Sequence, residues 1–147
     1  MEENKNKLNY LKSNFDQKKQ KKYGFDVLER LMTKVEDKND AKVLELIGNL
    51  LYQLDLMRKD DSMKDKAYFK LFNELKKHVK TEYGFVPKGT VQSEYMGMGV
   101  ALGVAFGAAF TTINTAFIGI GIPIGIAIGL AIGSSKEKEL EEQDKLY

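Results

Sequence analysis

The sequence predicts an all-α protein in which a small N-terminal helical bundle is followed by a two-helix, glycine-rich transmembrane hairpin. Residues 95–133 are 39 consecutive positions without Asp, Glu, Lys, Arg or His, and they hold nine of the 13 glycines. In the first 84 residues, by contrast, apolar side chains recur every three or four positions among many charges, which is typical of amphipathic helices. The uncharged polar run 111–115 divides the apolar stretch into two segments.

The N-terminal domain, residues 1–84, is predicted to contain four helices joined by short turns. The helices are placed at residues 4–22, 25–35, 41–57 and 64–80. Gly24 and Gly84 are expected helix stops, and Asn39 or Asp40 is an expected N-cap. The predicted inward faces carry Leu8, Leu11, Phe15, Phe25, Leu28, Leu31, Met32, Val35, Val43, Ile47, Leu50, Leu54, Met57, Tyr68, Leu71, Phe72, Leu75 and Val79, and Leu44, Leu46 and Leu51 widen the face of the third helix.

Residues 85–94 are predicted to be a non-helical linker into the hairpin, because they contain Pro87 and Gly89. A single helix over residues 95–133 would be roughly 58 Å long, about twice the thickness of a bilayer's hydrocarbon core. Two spans, at about 96–113 and 116–133, are therefore expected, with Asn114 in the turn between them. A charged tail, residues 134–147, follows the second span.

Small residues alternate with large ones along both spans. A period of two is usual for strands, but Gly and Ala are poor strand residues and each segment is too long for a transmembrane strand. On a helix, the same alternation produces two rows of small residues on nearly opposite faces. The glycines that we expect to pack helices together are Gly97, Gly99, Gly103, Gly107, Gly119, Gly121, Gly125, Gly129 and Gly133.

Two small-residue rows per helix predict self-association. Small residues let helices approach closely in lipid, where packing drives association. One row per helix suffices for contact within the hairpin, so the other row remains for a second copy, and a closed ring is the simplest homo-oligomer. Pro123 interrupts the second span, and we expect it to produce an ordinary kink, with a gating hinge as the alternative.

Composition argues against several classes of function. The chain has no cysteine and a single histidine, His78, so neither a metal site nor a Cys or Ser-His-Asp nucleophile is expected. No phosphate-binding glycine loop is present, and the apolar stretch has no carboxylate for proton transport. The net charge is only +2, so no nucleic-acid partner is expected. We therefore expect a protein that is not an enzyme and needs no cofactor.

Charges near the hairpin predict its orientation. Lysines flank both ends of the apolar stretch, and the turn has none, so both termini are expected on the cytoplasmic side. The N-terminal residues lack the apolar core of a signal peptide. The run Lys18-Lys19-Gln20-Lys21-Lys22 can be interpreted as an anionic-lipid contact or as a solvated helix end, and we favour the latter.

The segments YMGMGVALGVAFGAAF and AFIGIGIPIGIAIGLAIGSSKEKELEE resemble the C-terminus of small bacterial glycine-zipper family membrane proteins. The resemblance covers about residues 95–142. It implies a bacterial protein with an oligomerising membrane hairpin, and hence the inner membrane as its location. Several proteins of that family are membrane-permeabilising toxins or effectors.

Three functions are compatible with this sequence. The first is a membrane-active effector, of toxin or anti-phage type, whose hairpins oligomerise and depolarise the inner membrane under control of the helical domain. The second is a non-conducting membrane scaffold whose helical domain binds a cytoplasmic protein partner. The third is a soluble, colicin-like protein that inserts its hairpin on a signal. We favour the first of the three.

Overall fold

The computed structural model describes residues 1–60, 62–109 and 116–147, and all seven of its α-helices lie within these ranges. The all-α prediction is confirmed, since the described residues form helices and turns with no β-sheet. The chain divides into two compact units, of which the first comprises residues 1–85 with Tyr147 and the second comprises residues 86–146.

The first unit contains five α-helices and a short 3₁₀ turn. The helices are α1 (Glu2–Ser13), α2 (Gln17–Tyr23), α3 (Phe25–Lys34), α4 (Ala41–Lys59) and α5 (Lys66–Tyr83), and the 3₁₀ turn covers Glu36–Lys38. The long helices α4 and α5 pack against each other, and α1 packs against α3 and α4. Gly24 and Gly84 end helices in the left-handed conformation that favours glycine, as the sequence predicts.

The prediction of a single helix over residues 4–22 is wrong. The chain turns after Ser13, Phe15 is buried, and a new helix begins at Gln17. Asp16 caps this second helix, because its carboxylate Oδ1 accepts a hydrogen bond from the backbone N–H of Lys19 at 2.8 Å. The domain therefore has five helices instead of four, and the lysine-rich run forms a short helix of its own.

The core of the first unit follows the apolar stripes in the sequence. Every predicted inward residue is buried except Leu44 and Leu71, which are half-buried, and Leu71 packs against the core. Tyr68 is 1 % exposed, and its hydroxyl donates a hydrogen bond to the carbonyl oxygen of Tyr23. Burial raises the pKa of Tyr68, so the hydroxyl stays protonated and continues to donate.

Asp40 joins the start of α4 to the end of α5. Its carboxylate caps α4, accepting hydrogen bonds from the N–H groups of Lys42 at 2.8 Å and Val43 at 3.2 Å. The same carboxylate lies 2.8 Å from His78 Nε2 and accepts a hydrogen bond from the Tyr83 hydroxyl at 2.7 Å. These hydrogen bonds, from His78 and Tyr83 above all, hold the pKa of Asp40 well below its usual range.

We expect Asp40→Ala to destabilise the first unit by about 2–4 kcal/mol, because it removes a helix cap and leaves two half-buried side chains without their acceptor. Asp37→Ala, at an exposed position nearby, is the matched control and should change stability by less than about 0.5 kcal/mol. Chemical denaturation of the detergent-solubilised chain, followed by circular dichroism, measures both. An equal loss of stability in the two variants would show that the hydrogen bonds of Asp40 do not stabilise the first unit.

The lowered pKa also predicts a pH dependence. A carboxylate whose native pKa lies below its unfolded value contributes stability above the unfolded pKa, about 4, and loses that contribution as pH falls through the native pKa. The stability difference between the wild-type chain and Asp40→Ala should therefore be constant at neutral pH and shrink below about pH 4. A difference that stays constant down to pH 2 would contradict this assignment.

The second unit contains two long helices, α6 (Thr90–Ala109) and α7 (Ala116–Glu142). Helix α6 begins at Thr90, inside the linker predicted over residues 85–94. Only residues 85–89 of that linker are therefore non-helical. The predicted tail is also mostly helical, because α7 continues nine residues beyond Gly133 to Glu142. The two helices pack extensively against each other. The start of α6 also interacts with polar side chains near the end of α7, more than 40 residues later in the chain.

Candidate functional site: a glycine-packed hairpin

The contact between α6 and α7 runs through one row of glycines on each helix. In α6, Gly99, Gly103 and Gly107 are buried, and in α7 the corresponding row is Gly121, Gly125, Gly129 and Gly133. Gly103 faces Gly121, and Gly99 faces Gly125, so the register advances by four residues on each helix in opposite directions. This is an antiparallel small-residue seam of the kind that close helix packing requires.

The seam leaves no room for a Cβ atom on either side. A methyl group on Gly99 would collide with the carbonyl oxygen of Gly125 and lie 3.1 Å from the Cα of Gly129. A methyl group on Gly133 would lie 2.8 Å from the Cα of Gln92. In each case the obstacle is backbone, which cannot rotate away, so the helices would have to move apart.

The second small-residue row of each helix faces away from the seam. A Cβ added at Gly97 or at Gly119 would meet nothing within 4 Å. The remaining members of these two rows are also exposed: Ala101, Ala105 and Ala109 on α6, and Pro123, Ala127 and Ala131 on α7. The nine glycines singled out from the sequence therefore divide into seven at the seam and two on the outer rows.

Large apolar side chains flank the seam and remain exposed. They are Met96, Met98, Leu102, Val104, Phe106, Ile120, Ile124, Ile128 and Ile132. Leu102 and Phe106 from α6, with Ile124 and Ile128 from α7, line a groove of about 240 Å³ whose floor is glycine. A contiguous apolar surface of this kind is unusual on a soluble monomer and typical of a lipid-facing or protein-facing one.

A polar clasp closes the charged end of the hairpin. The Glu137 carboxylate of α7 accepts hydrogen bonds from the backbone N–H groups of Gly89 and, at 3.3 Å, of Gln92 at the start of α6. Lys88 pairs with Glu141 at 3.0 Å, and the Gln92 side chain donates to Ser134 Oγ at 2.9 Å. Glu137 therefore caps the first turn of α6 with a negative charge, which a helix N-terminus favours.

We expect Glu137→Ala to loosen the first turn of α6 at a cost of about 1 kcal/mol, since it removes this cap. Hydrogen exchange by mass spectrometry should show amide exchange over residues 89–94 that is about fivefold faster. Glu142→Ala makes the same chemical change at an exposed position of α7 and should leave these amides unaffected. Similar acceleration in both variants would mean that local helix propensity, and not the clasp, controls this turn.

The other predicted site residues are placed as follows. Pro123 lies exposed within α7, which remains one helix from Ala116 to Glu142, so a kink at this residue stays a prediction. Asn114 and the turn 111–115 lie outside the described residues, as does the end of the first predicted span. The sequence reasoning missed Glu137, because nothing in the local sequence of α7 indicates that it caps another helix.

One helix among the described residues is long and apolar enough to cross a membrane. It is the segment Gly119–Glu142 of α7, in which the 18-residue stretch that meets the criterion has a mean hydropathy of 1.4. Only 17 % of that stretch is buried in the structure. The core helix of a soluble protein is mostly buried, so this low burial fits a membrane segment better. The first predicted span extends to residue 113, beyond the described part of α6, and stays a prediction.

The exposed apolar surface and the glycine seam define the second unit as the helical hairpin of a membrane-associated protein. Residues 90–137 match the family model described as "Glycine zipper membrane protein". This match confirms the resemblance seen in the sequence and identifies the hairpin as a glycine-zipper segment, while residues 1–89 fall outside it. No curated protein and no solved structure matches the chain significantly.

Proposed function

We propose that the protein is a membrane-active effector whose hairpins associate with one another in the bacterial inner membrane and depolarise it. The observation that carries this proposal is the outer small-residue row, which the hairpin's own packing leaves exposed on both helices. An exposed row of small residues lets another helix approach closely in lipid. A hairpin with one such row on each helix can contact two neighbours, as closure of a ring requires.

In this proposal the seam and the outer rows have different roles. The seam makes the hairpin a rigid unit, because its glycines bring two backbones into contact. The outer rows then join rigid hairpins into an assembly. The helical domain stays on the cytoplasmic side with both termini and controls assembly, and the biological use of the activity is growth arrest or defence against phage.

A non-conducting scaffold is the second candidate, and the lack of charge on the hairpin favours it. From Tyr95 to Gly133 the chain carries no charged side chain, so an assembly of these helices would have apolar walls. An apolar constriction can exclude water and remain closed. A scaffold of this kind would leave the membrane potential unchanged while the helical domain binds a cytoplasmic protein.

Membrane-potential dyes separate the two candidates. Cells induced to produce the full chain should lose their membrane potential within one generation, and cells producing residues 1–85 should retain it. Retention of the potential by both, with the full chain recovered in the membrane fraction, would contradict depolarisation and support the scaffold. Recovery of the full chain as a soluble monomer without detergent would support conditional, colicin-like insertion instead.

A further inference from the structure

The first unit contains a basic cleft that no part of the proposed membrane activity uses. The cleft has a volume of about 530 Å³ and lies between α2 and the segment that precedes α5. Five lysines line it, and they come from two parts of the chain more than 40 residues apart: Lys18, Lys19, Lys22, Lys64 and Lys66. The fold therefore brings together two groups of like charge that the sequence keeps separate.

The two acids that line the cleft are already occupied. Asp65 pairs with Lys22 at 2.8 Å, and Asp16 accepts the backbone N–H of Lys19 as the cap of α2. Among the described residues, which exclude Asp61, no carboxylate forms an ion pair with Lys18, Lys64 or Lys66. The ammonium group of Lys22 also lies 5.2 Å from the centre of the Tyr23 ring, which lines the same cleft.

Like charges gathered in a concave site repel one another, and they raise the local concentration of ions of opposite sign. A lysine ammonium is a compact point charge that suits phosphate oxygens. Ser62 also lines the cleft, but its hydroxyl and its backbone N–H both donate hydrogen bonds to the Asp60 carboxylate, at 2.7 and 2.9 Å, so neither is left for a ligand. The lysine ammonium groups therefore determine the ligand chemistry, and a phosphate group fits their charge.

We propose that this cleft binds a phosphate-bearing anion, and that the first unit is in this way a ligand-binding domain. The phosphate belongs either to the headgroup of an anionic phospholipid or to a soluble phosphate compound. The proposal does not depend on whether the hairpin depolarises the membrane, because the cleft lies within the first unit. Its test measures binding and leaves the membrane potential aside.

The test uses the full chain and two double variants. Lys64→Gln/Lys66→Gln removes two exposed positive charges from the cleft, and Lys7→Gln/Lys77→Gln removes two exposed charges elsewhere on the same unit. Pyrophosphate is titrated by calorimetry into each protein in zwitterionic nanodiscs. In a second arm, native mass spectrometry counts the phosphatidylglycerol molecules retained by each protein after extraction in mild detergent.

The expected result is saturable binding in at least one arm, weakened tenfold or more in the cleft variant and less than twofold in the control variant. If only pyrophosphate binds, the natural ligand is a soluble phosphate compound. If only phosphatidylglycerol is retained, the natural ligand is the headgroup of an anionic phospholipid. The proposal is overturned if neither probe binds or if both variants weaken binding equally, since equal loss would reflect net charge only. Thermal unfolding monitored by circular dichroism confirms that each variant is folded.

Discussion

Gly125→Ala is expected to disrupt the packing of α6 on α7, although it adds a single methyl group. The new Cβ would collide with the carbonyl oxygen of Gly99 and lie 3.0 Å from the Cα of Gly103. Overpacking a fitted contact costs about 1–3 kcal/mol even where side chains can adjust, and here the obstacle is backbone. We expect the helices to separate, which spin labels at Leu102→Cys and Ile124→Cys would detect as a loss of dipolar broadening.

Gly119→Ala is the matched control for this prediction. It makes the same change on the same helix, at a position where the added methyl group meets nothing within 4 Å. Because alanine is the better helix former by about 1 kcal/mol, this variant should be at least as stable as the wild-type chain. If both alanine variants retain the dipolar broadening of the wild-type chain, the seam is not the close contact described here.

Ala101→Leu with Ala127→Leu is expected to abolish depolarisation while the hairpin itself stays folded. Both residues are exposed on the outer small-residue rows, one on each helix, so leucine at these positions does not enter the seam. Added bulk would keep neighbouring hairpins apart, and a cost of about 1–3 kcal/mol per site weakens association at least tenfold. The potential-sensitive dye should then report a normal membrane potential at wild-type expression.

Leu102→Ile with Ile128→Leu serves as the control for this double variant. It changes the two adjacent positions, which are exposed on the flanks of the seam, without changing their volume. This control should depolarise cells as the wild-type chain does. Full depolarisation by the leucine variant, at equal amounts in the membrane, would exclude the outer rows as the surface of assembly.

The sequence was sufficient to predict the hairpin's two kinds of surface, because the alternation of small and large residues determines which positions share a helix face. It could not predict which row forms the seam. Gly97 and Gly99 are both glycines in small-residue rows, and only the packed structure places one against α7 and the other at the surface. A pattern within one helix specifies its faces but does not specify the partner of each face.

The interactions that the sequence did not reveal are those between distant polar groups. Asp40 was recognisable as a helix cap, but its contacts with His78 and Tyr83 join residues 38 and 43 positions away. Glu137 caps a helix that begins 47 residues earlier. The break between α1 and α2 was missed for a different reason, since the apolar spacing of Leu8, Leu11 and Phe15 continues through the turn and conceals it.

The central claim is that the outer rows are the surface through which hairpins meet, and disulfide crosslinking tests it most directly. The chain has no cysteine, so copies that each carry one introduced cysteine can form a disulfide only between copies. In a ring, the outer row of α6 in one copy meets the outer row of α7 in the next. Gly97→Cys and Ala127→Cys, on two chains expressed together, place thiols on these two rows at nearly the same membrane depth, because Gly99 faces Gly125. We predict rapid dimer formation in oxidised membranes for this pair, and little when Ile128→Cys, on the flank of the seam, replaces Ala127→Cys. Equal crosslinking of the two pairs, or crosslinking only of the pair with Ile128→Cys, would contradict the account.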